Sequence, residues 1–216
     1  MTRQERYHTL LEYFREQQPN VTTELLFGSA FQLLCATLLS AQCTDKRINQ
    51  VTPALFEHYP TAQAMAQAEP EDVLEYIRSV SYPNSKALHL VEMARMIVNE
   101  YGGEVPDTVE QLVRLPGVGR KTANVMQAVW FGRAAMAVDT HVYRVSHRLG
   151  LVSPRANTPA KVEQELLRHI PEADVPNAHH WLLLHGRYIC QSQRPKCEVC
   201  PFTSFCPKKL EHSKLA

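Results

Sequence analysis

"LPGVGRKTANV", Leu115–Val125, places a Pro-Gly-Val-Gly turn directly ahead of a lysine. The stretch before it, "DTVEQLVRL" from Asp107, carries Val109, Leu112 and Val113 at helical spacing, with Asp107 or Thr108 as a start signal. After it, Val125, Met126, Val129 and Trp130 mark one apolar face. The pattern reads as helix, tight hairpin, helix. Gly117 and Gly119 are expected to supply positive φ where other residues cannot, and Pro116 stiffens the entry. A nucleotide-binding P-loop would need G-x-x-x-x-G-K-S/T after a strand. Here Leu115 and Arg120 stand at the two glycine positions, and the preceding segment is helical. The hairpin instead points the N–H groups of its second helix outward, a site able to grip a nucleic-acid phosphate without reading sequence. An ordinary glycine turn between two helices is the plainer alternative.

The rest of the chain reads as nearly all helix. "SAFQLLCATLLSAQ" from Ser29 is a buried helix with a serine cap, and "TDKRINQVTPALFEHY" follows with Thr44 or Asp45 as cap. Further helices are expected from near Glu69 and Asn84. "TPAKVEQELLRHI" from Thr158 has a cap, proline at the first helical position and glutamate in the first turn. A last helix runs from about Asn177 toward Cys190. No alternating strand pattern, internal repeat or long linker stands out.

The 216 residues suffice for one large domain or two small ones, and 44% hydrophobic with 21% charged residues is ordinary for a globular protein. No apolar run approaches a membrane span, and the start, "MTRQERYHTLLEYFREQQ", is too charged for a signal peptide and too acidic for a transit peptide. A cytoplasmic protein without membrane contact is expected. The net charge of +1 hides an asymmetry. Residues 57–110 hold ten Asp/Glu against three Lys/Arg, whereas residues 111–155 hold seven Lys/Arg against Asp139 alone. The basic block coincides with the glycine turn and suits a polyanionic partner.

Lys121 stands in the first turn of the helix after the hairpin. The helix dipole and Arg120 both disfavour an ammonium there, and partial burial would add to this, which favours a nucleophilic amine. A surface lysine touching phosphate is the alternative. A helix over 121–131 runs roughly 16 Å. "RAAMAV", Arg133 to Val138, extends far enough to return along it, which places Asp139 near the end where Lys121 sits. Asp139 is also a good N-cap for a helix beginning at Thr140. A capping carboxylate suits the stabilisation of a positive sugar in a transition state, and both roles hold together.

Six cysteines occur, four of them as Cys190-x6-Cys197-x2-Cys200-x5-Cys206. Four clustered thiolates in this pattern mean a metal site. Zinc is one occupant, although structural zinc sites often pair two close knuckles and only one is present. A 4Fe–4S cluster accommodates the uneven spacing. The long gap carries Arg194 and Lys196, a basic loop suited to a second phosphate contact. Cys35 lies in an apolar helix as a core residue, and Cys43 has no partner legible in sequence. His179, His180 and His185 lack ligand-like spacing and are expected to be structural or DNA-facing.

Taken together, "LPGVGRKTANV", "VDTHVYRV", "HHWLLLHGRYIC" and the four-cysteine loop resemble the endonuclease III family, DNA repair glycosylases of the helix-hairpin-helix superfamily. "FQLLCATLLSAQCTDKRIN" and "NSKA" add to the match, which spans roughly residues 20–210. The resemblance implies an all-α protein of two helical domains flanking a DNA-binding cleft. Residues 23–133 would form a six-helix barrel containing the helix-hairpin-helix; residues 1–22 and 134–216 would form the iron–sulfur domain. It implies a bifunctional enzyme that removes oxidised pyrimidines and cleaves the strand 3′ to the abasic site by β-elimination, acting as a monomer on damaged double-stranded DNA and so associated with the nucleoid. Lys121 would be the nucleophile and Asp139 its carboxylate partner. Cys190, Cys197, Cys200 and Cys206 would hold a 4Fe–4S cluster. Gln42 would enter the duplex as the damaged nucleotide leaves. Gly117, Gly119, Arg120, His141, Arg144, Arg194 and Lys196 are the further expected DNA contacts.

The chain departs from the family in one loop. Many relatives carry Gly-Leu-Tyr before "NSKA", with the leucine wedging into the duplex; this chain has Ser81, Tyr82 and Pro83. Tyr82 falls at the leucine position and is expected to serve as the wedge beside Gln42. Two other readings remain. An adenine-mismatch glycosylase shares the hairpin, aspartate and cluster but usually lacks the lysine and carries a further C-terminal domain, whereas this chain stops ten residues after Cys206. A non-catalytic iron–sulfur DNA-binding protein would have no use for both Lys121 and Asp139.

Overall fold

The computed structural model describes residues 1–207. Every regular element among them is helical, and no strand occurs among them. No helix of the described residues is long and apolar enough to cross a membrane. The chain divides into two compact units, Glu24–Gly132 and Met1–Thr23 with Arg133–Ala216.

The N-terminal helix of the second of these units is α1, Arg3–Gln17. Its start is a capping box: the Thr2 hydroxyl accepts from the Glu5 N–H, and the Thr2 N–H donates to the Glu5 carboxylate at 2.7 Å. Phe14 then stacks on Trp181 with ring centroids 5.5 Å apart, and the Tyr7 hydroxyl donates to the Leu151 carbonyl. These contacts bind α1 to a segment far along the chain.

The unit Glu24–Gly132 holds seven helical segments where the resemblance implies a six-helix barrel. They are α2 Ala30–Leu39, α3 Asp45–His58, α4 Ala62–Ala66, α5 Pro70–Ile77, α6 Pro83–Tyr101, α7 Val109–Leu112 and α8 Arg120–Val129. Two of the seven, α4 and α7, are little more than single turns. Helix α2 starts at Ser29, whose hydroxyl accepts from the Gln32 N–H, and is apolar nearly all round. Such a helix belongs in a core, and Phe31 and every residue from Leu33 to Leu39 is buried. Thr44, not Asp45, caps α3. Helix α6 packs on α4 and α5, and α2 on α8. Trp130 departs from the expected apolar face of α8. It is the C-terminal cap, 42% exposed, and stands edge-on to Phe27. Val113, also expected inside, is exposed because α7 ends at Leu112.

The other unit continues with α9 Thr140–Arg148, α10 Pro159–His169 and α11 Val175–Tyr188. Thr158 caps α10 and Pro159 opens it as the sequence predicts, but no acidic residue lies in its first turn; Glu163 falls later and is buried. Helix α11 begins two residues earlier than expected, with Pro176 in its first turn. It packs closely on α9, and Gly186 permits this: a Cβ there would lie 2.9 Å from that of His141 and 3.0 Å from the Val145 methyl.

The three histidines of α11 face inward. Burial, reinforced by neighbouring His179, drives the His180 pKa down to about 3, and burial drives that of His185 to about 4. An exposed histidine protonates near about pH 6.5. Between those values the unfolded chain takes up a proton that folded His180 refuses, so stability rises with pH through this window and falls as pH drops. The urea midpoint is expected to fall between about pH 7 and about pH 5, and His180→Gln is expected to flatten that fall. An unchanged pH slope in the variant would remove His180 as its cause.

Candidate functional site

The hairpin between α7 and α8 hangs on two buried side chains, Leu115 and Val118. Gly117 adopts φ +75, and a Cβ there would lie 2.9 Å from His89 and from a Leu38 methyl. Both conformation and packing therefore require glycine. Gly119 is different. Its φ is −92, so the expected positive φ is absent, and a Cβ there would meet nothing within 4 Å. Nothing inside the chain demands its bareness. Gly119 is the N-cap of α8, which has no side-chain cap bond and no acidic residue in its first turn. Neither the cap residue nor an acidic side chain of the first turn of α8 covers the positive end of its dipole, which suits a bound anion. Arg120 and Lys121 are both exposed at this point, so burial adds nothing to the effect of the helix dipole on Lys121.

Asp139 caps α9 through one carboxylate oxygen and holds the His141 ring with the other. Oδ1 accepts from the N–H groups of His141 at 2.9 Å and Val142 at 2.8 Å, and Oδ2 lies 2.9 Å from His141 Nδ1. Three nitrogens around one carboxylate stabilise its charge and fix its orientation. His141 is thereby engaged with Asp139. Lys121 and Asp139 lie on different compact units.

Gln42 and Tyr82, distant in sequence, are brought into register within one unit. Both are exposed and both take left-handed backbone, with φ 56 and 55. Tyr82 does so immediately before Pro83, and its side chain is 65% exposed. The only other non-glycine residue with positive φ among those described is Arg194. Such conformations cost about 1–3 kcal/mol each and persist where the surroundings impose them. All three are residues expected to touch DNA. The Ser81 hydroxyl donates to the Gln42 carbonyl at 2.7 Å. Lys86, only 6% exposed, donates to the carbonyls of Leu39 and Ala41 at 2.9 and 2.7 Å. Burial lowers its pKa.

Cys190, Cys197, Cys200 and Cys206 line one cavity, closed on its other sides by Arg148, Leu149, Ile189, Pro195, Lys196 and Thr203. No disulfide involves any of the six cysteines. The Thr203 hydroxyl lies 2.6 Å from the Cys197 carbonyl and 3.0 Å from that of Cys200, which ties the loop to itself. Cys35 is wholly buried, as expected for a core residue. Arg194 and Lys196 are exposed on the loop between the first two cysteines of the cavity.

Arg144, expected among the DNA contacts, is instead 7% exposed. Its guanidinium donates to the carbonyls of Gly186 at 2.8 Å and Cys190 at 3.1 Å. One turn on, Arg148 donates to the carbonyls of Gln191 at 2.6 Å and Ser192 at 2.9 Å, and its Nη1 lies 3.6 Å from Cys190 Sγ. Sequence reasoning missed this pair of braces. Their i, i+4 spacing was the available signal, since it puts both on one helical face. Two of the seven cations in the basic block therefore serve the cysteine loop.

Residues 35–172 match the HhH-GPD superfamily of base excision DNA repair proteins. The chain is 44% identical over 197 residues to endonuclease III of Rickettsia felis, covering 91% of this chain and 92% of that protein. It is 42% identical over 200 residues to endonuclease III of Escherichia coli, covering 93% and 94%. A solved structure of a trapped endonuclease III–DNA covalent intermediate superposes with a TM-score of 0.90 at 39% identity, covering 96% of this chain and 97% of the other. Sequence and helical fold thus match known repair enzymes over nearly the whole length of each, and the chain belongs to the endonuclease III family within the HhH-GPD superfamily.

Proposed function

We propose that this chain excises oxidised pyrimidines from duplex DNA and cleaves the strand 3′ to the resulting abasic site, with Lys121 as nucleophile and Asp139 as its electrostatic partner. The observation that carries the reading is the α8 start: an exposed Lys121 beside a capless helix terminus and a glycine, Gly119, that no part of the chain crowds. A backbone phosphate seated on that terminus would hold a sugar near the lysine, because the terminus offers N–H donors and a positive dipole end together. The similar endonuclease III trapped covalently on DNA supports a covalent route.

The chemistry follows from these groups. The damaged nucleotide leaves the stack at a cost of about a few kcal/mol. The Lys121 amine adds its lone pair to the sugar C1′ as the bond from C1′ to the base breaks, and the base departs with the bonding electrons and takes up a proton. The Asp139 carboxylate, oriented by the α9 N–H groups, stabilises the positive charge that develops on the sugar. Opening of the ring gives a Schiff base between Lys121 and C1′. Loss of a proton from C2′ then expels the 3′ phosphate, which breaks the strand, and water releases the amine. Arg120, Gly117, Arg194 and Lys196 hold phosphates and have no part in bond making. We assign the protein a monomeric, cytoplasmic life on nucleoid DNA.

The donor set fits a 4Fe–4S cluster on Cys190, Cys197, Cys200 and Cys206. Four thiols share one cavity and come from one loop with uneven spacing. A polynuclear group spans such spacing. When bound it would cross-link a loop with little apolar content, and the bond chemistry above runs without it. Cys197→Ser is expected to lower the iron-to-protein ratio and the brown colour, and to weaken DNA binding while the Glu24–Gly132 unit keeps its helices. Zinc without iron in anaerobically prepared protein would refute the assignment.

The proposed activity is tested by incubating the protein with duplex DNA containing one oxidised pyrimidine, with and without borohydride. A nicked strand without reductant and a covalent protein–DNA adduct with it are expected. Base release with neither nick nor adduct would place the chain among glycosylases that lack lyase activity.

A further inference from the structure

Gln42 follows the end of α2, and Tyr82 caps the start of α6; no element joins them directly. Three carbonyls at the end of α2 and just beyond it, those of Leu39, Ala41 and Gln42, are nevertheless all held by side chains from the start of α6 and the turn before it. Lys86 takes the first two and Ser81 the third. The carbonyls at a helix C-terminus are the negative end of its dipole, so the ammonium meets its complement there. An ammonium that is 6% exposed is costly to bury and adds little as packing. What it does is fix two carbonyls next to a left-handed residue. The Ser81 link closes the same stretch from the other side, at 2.7 Å from the Gln42 carbonyl.

The result is a pair of exposed side chains on two strained, mutually fastened residues. Left-handed backbone at Gln42 and Tyr82 would relax readily in an isolated loop. Bonds from Ser81 and Lys86 oppose that relaxation from both sides. An element meant to enter a base stack benefits from this, since a preformed wedge loses less freedom on insertion than a mobile loop. We infer that Ser81 and Lys86 are positioning residues that hold Gln42 and Tyr82 as one preformed wedge for the space an everted nucleotide leaves. This rests on the reading that Gln42 and Tyr82 enter the duplex, and it adds that they do so as a coupled unit joined by the Ser81 hydroxyl.

The test uses the full-length protein, an undamaged duplex, and a duplex with a stable abasic analogue opposite 2-aminopurine, whose fluorescence rises on unstacking. Ser81→Ala is expected to weaken binding to the abasic duplex about 3- to 10-fold more than binding to the undamaged one, the range of one hydrogen bond. Lys86→Met is expected to do so by about tenfold or more, since it removes two charge-assisted bonds. Both are expected to blunt the 2-aminopurine signal. In a Gln42→Ala/Tyr82→Ala background Ser81→Ala should change neither readout, because a positioning residue has then nothing to position. If Ser81→Ala weakens both duplexes equally, or keeps its full effect in that background, the clasp is structural and the inference fails while the wedge stands. If Gln42→Ala/Tyr82→Ala itself keeps full abasic preference, the wedge reading falls and this inference with it. Should Lys86→Met not fold, Ser81→Ala decides alone, because Ser81 is half-buried and its substitution removes one oxygen.

Discussion

Lys121→Gln is expected to abolish both borohydride trapping and strand cleavage, lowering turnover by about 10³-fold or more, since removal of a nucleophile deletes the step rather than weakening it. Binding to an abasic-analogue duplex should stay within about threefold of the parent protein, because the phosphate site is built from the α8 backbone rather than the amine. Stability should not change measurably. Lys121 is exposed, no ion pair to it is found among the described residues, and glutamine is nearly as good a helix former. Persistent adduct formation by the purified variant would mean that another amine attacks C1′, and the assignment would be lost. A variant that also fails to bind DNA would show instead that the amine grips phosphate.

The second large effect is expected at Asp139. Asparagine caps helices about as well as aspartate, and its carbonyl oxygen can still accept from the N–H groups of His141 and Val142. Asp139→Asn should therefore keep α9 and shift stability by no more than about 1 kcal/mol. It removes the negative charge, and base excision should fall roughly 10²–10³-fold, the magnitude typical when one preorganised electrostatic group is lost. The two readouts separate the two roles of this residue. Excision near the parent rate in a folded Asp139→Asn protein would reduce Asp139 to a cap. A fall in excision matched by loss of helix would leave the electrostatic role without support.

Much of the fold was legible before any coordinates, because its signals are local. Ser29, Thr44 and Thr158 cap the helices the sequence predicts at them, and each does so with its own hydroxyl three residues from the N–H it serves. The apolar run of α2 identified a core helix for the same reason: a helix buried all round needs no polar face. The four-cysteine loop was equally readable. Its four cysteines lie within one short segment, and a short chain cannot carry them far from one another. The missed points are at element ends. Trp130 and Val113 continue the apolar spacing of α8 and α7, but their helices stop before reaching them, and periodicity holds no information about where a helix stops.

What the sequence by itself determined is therefore the set of helices, the hairpin, and the residue types available for chemistry at Lys121, Asp139 and the cysteines. The fate of individual side chains was decided by packing. Arg144 and Arg148 read as surface charge in one dimension, yet α11 folding onto α9 turns them toward the carbonyls of the cysteine loop. Gly119 read as a conformational necessity, yet its φ is ordinary and its value lies in the open space around it. The clasp of Ser81 and Lys86 on the end of α2 had no sequence signature at all. Hydrogen bonds between residues some forty apart form only when the core under α2 and α6 brings their ends together, and that proximity belongs to the tertiary structure alone.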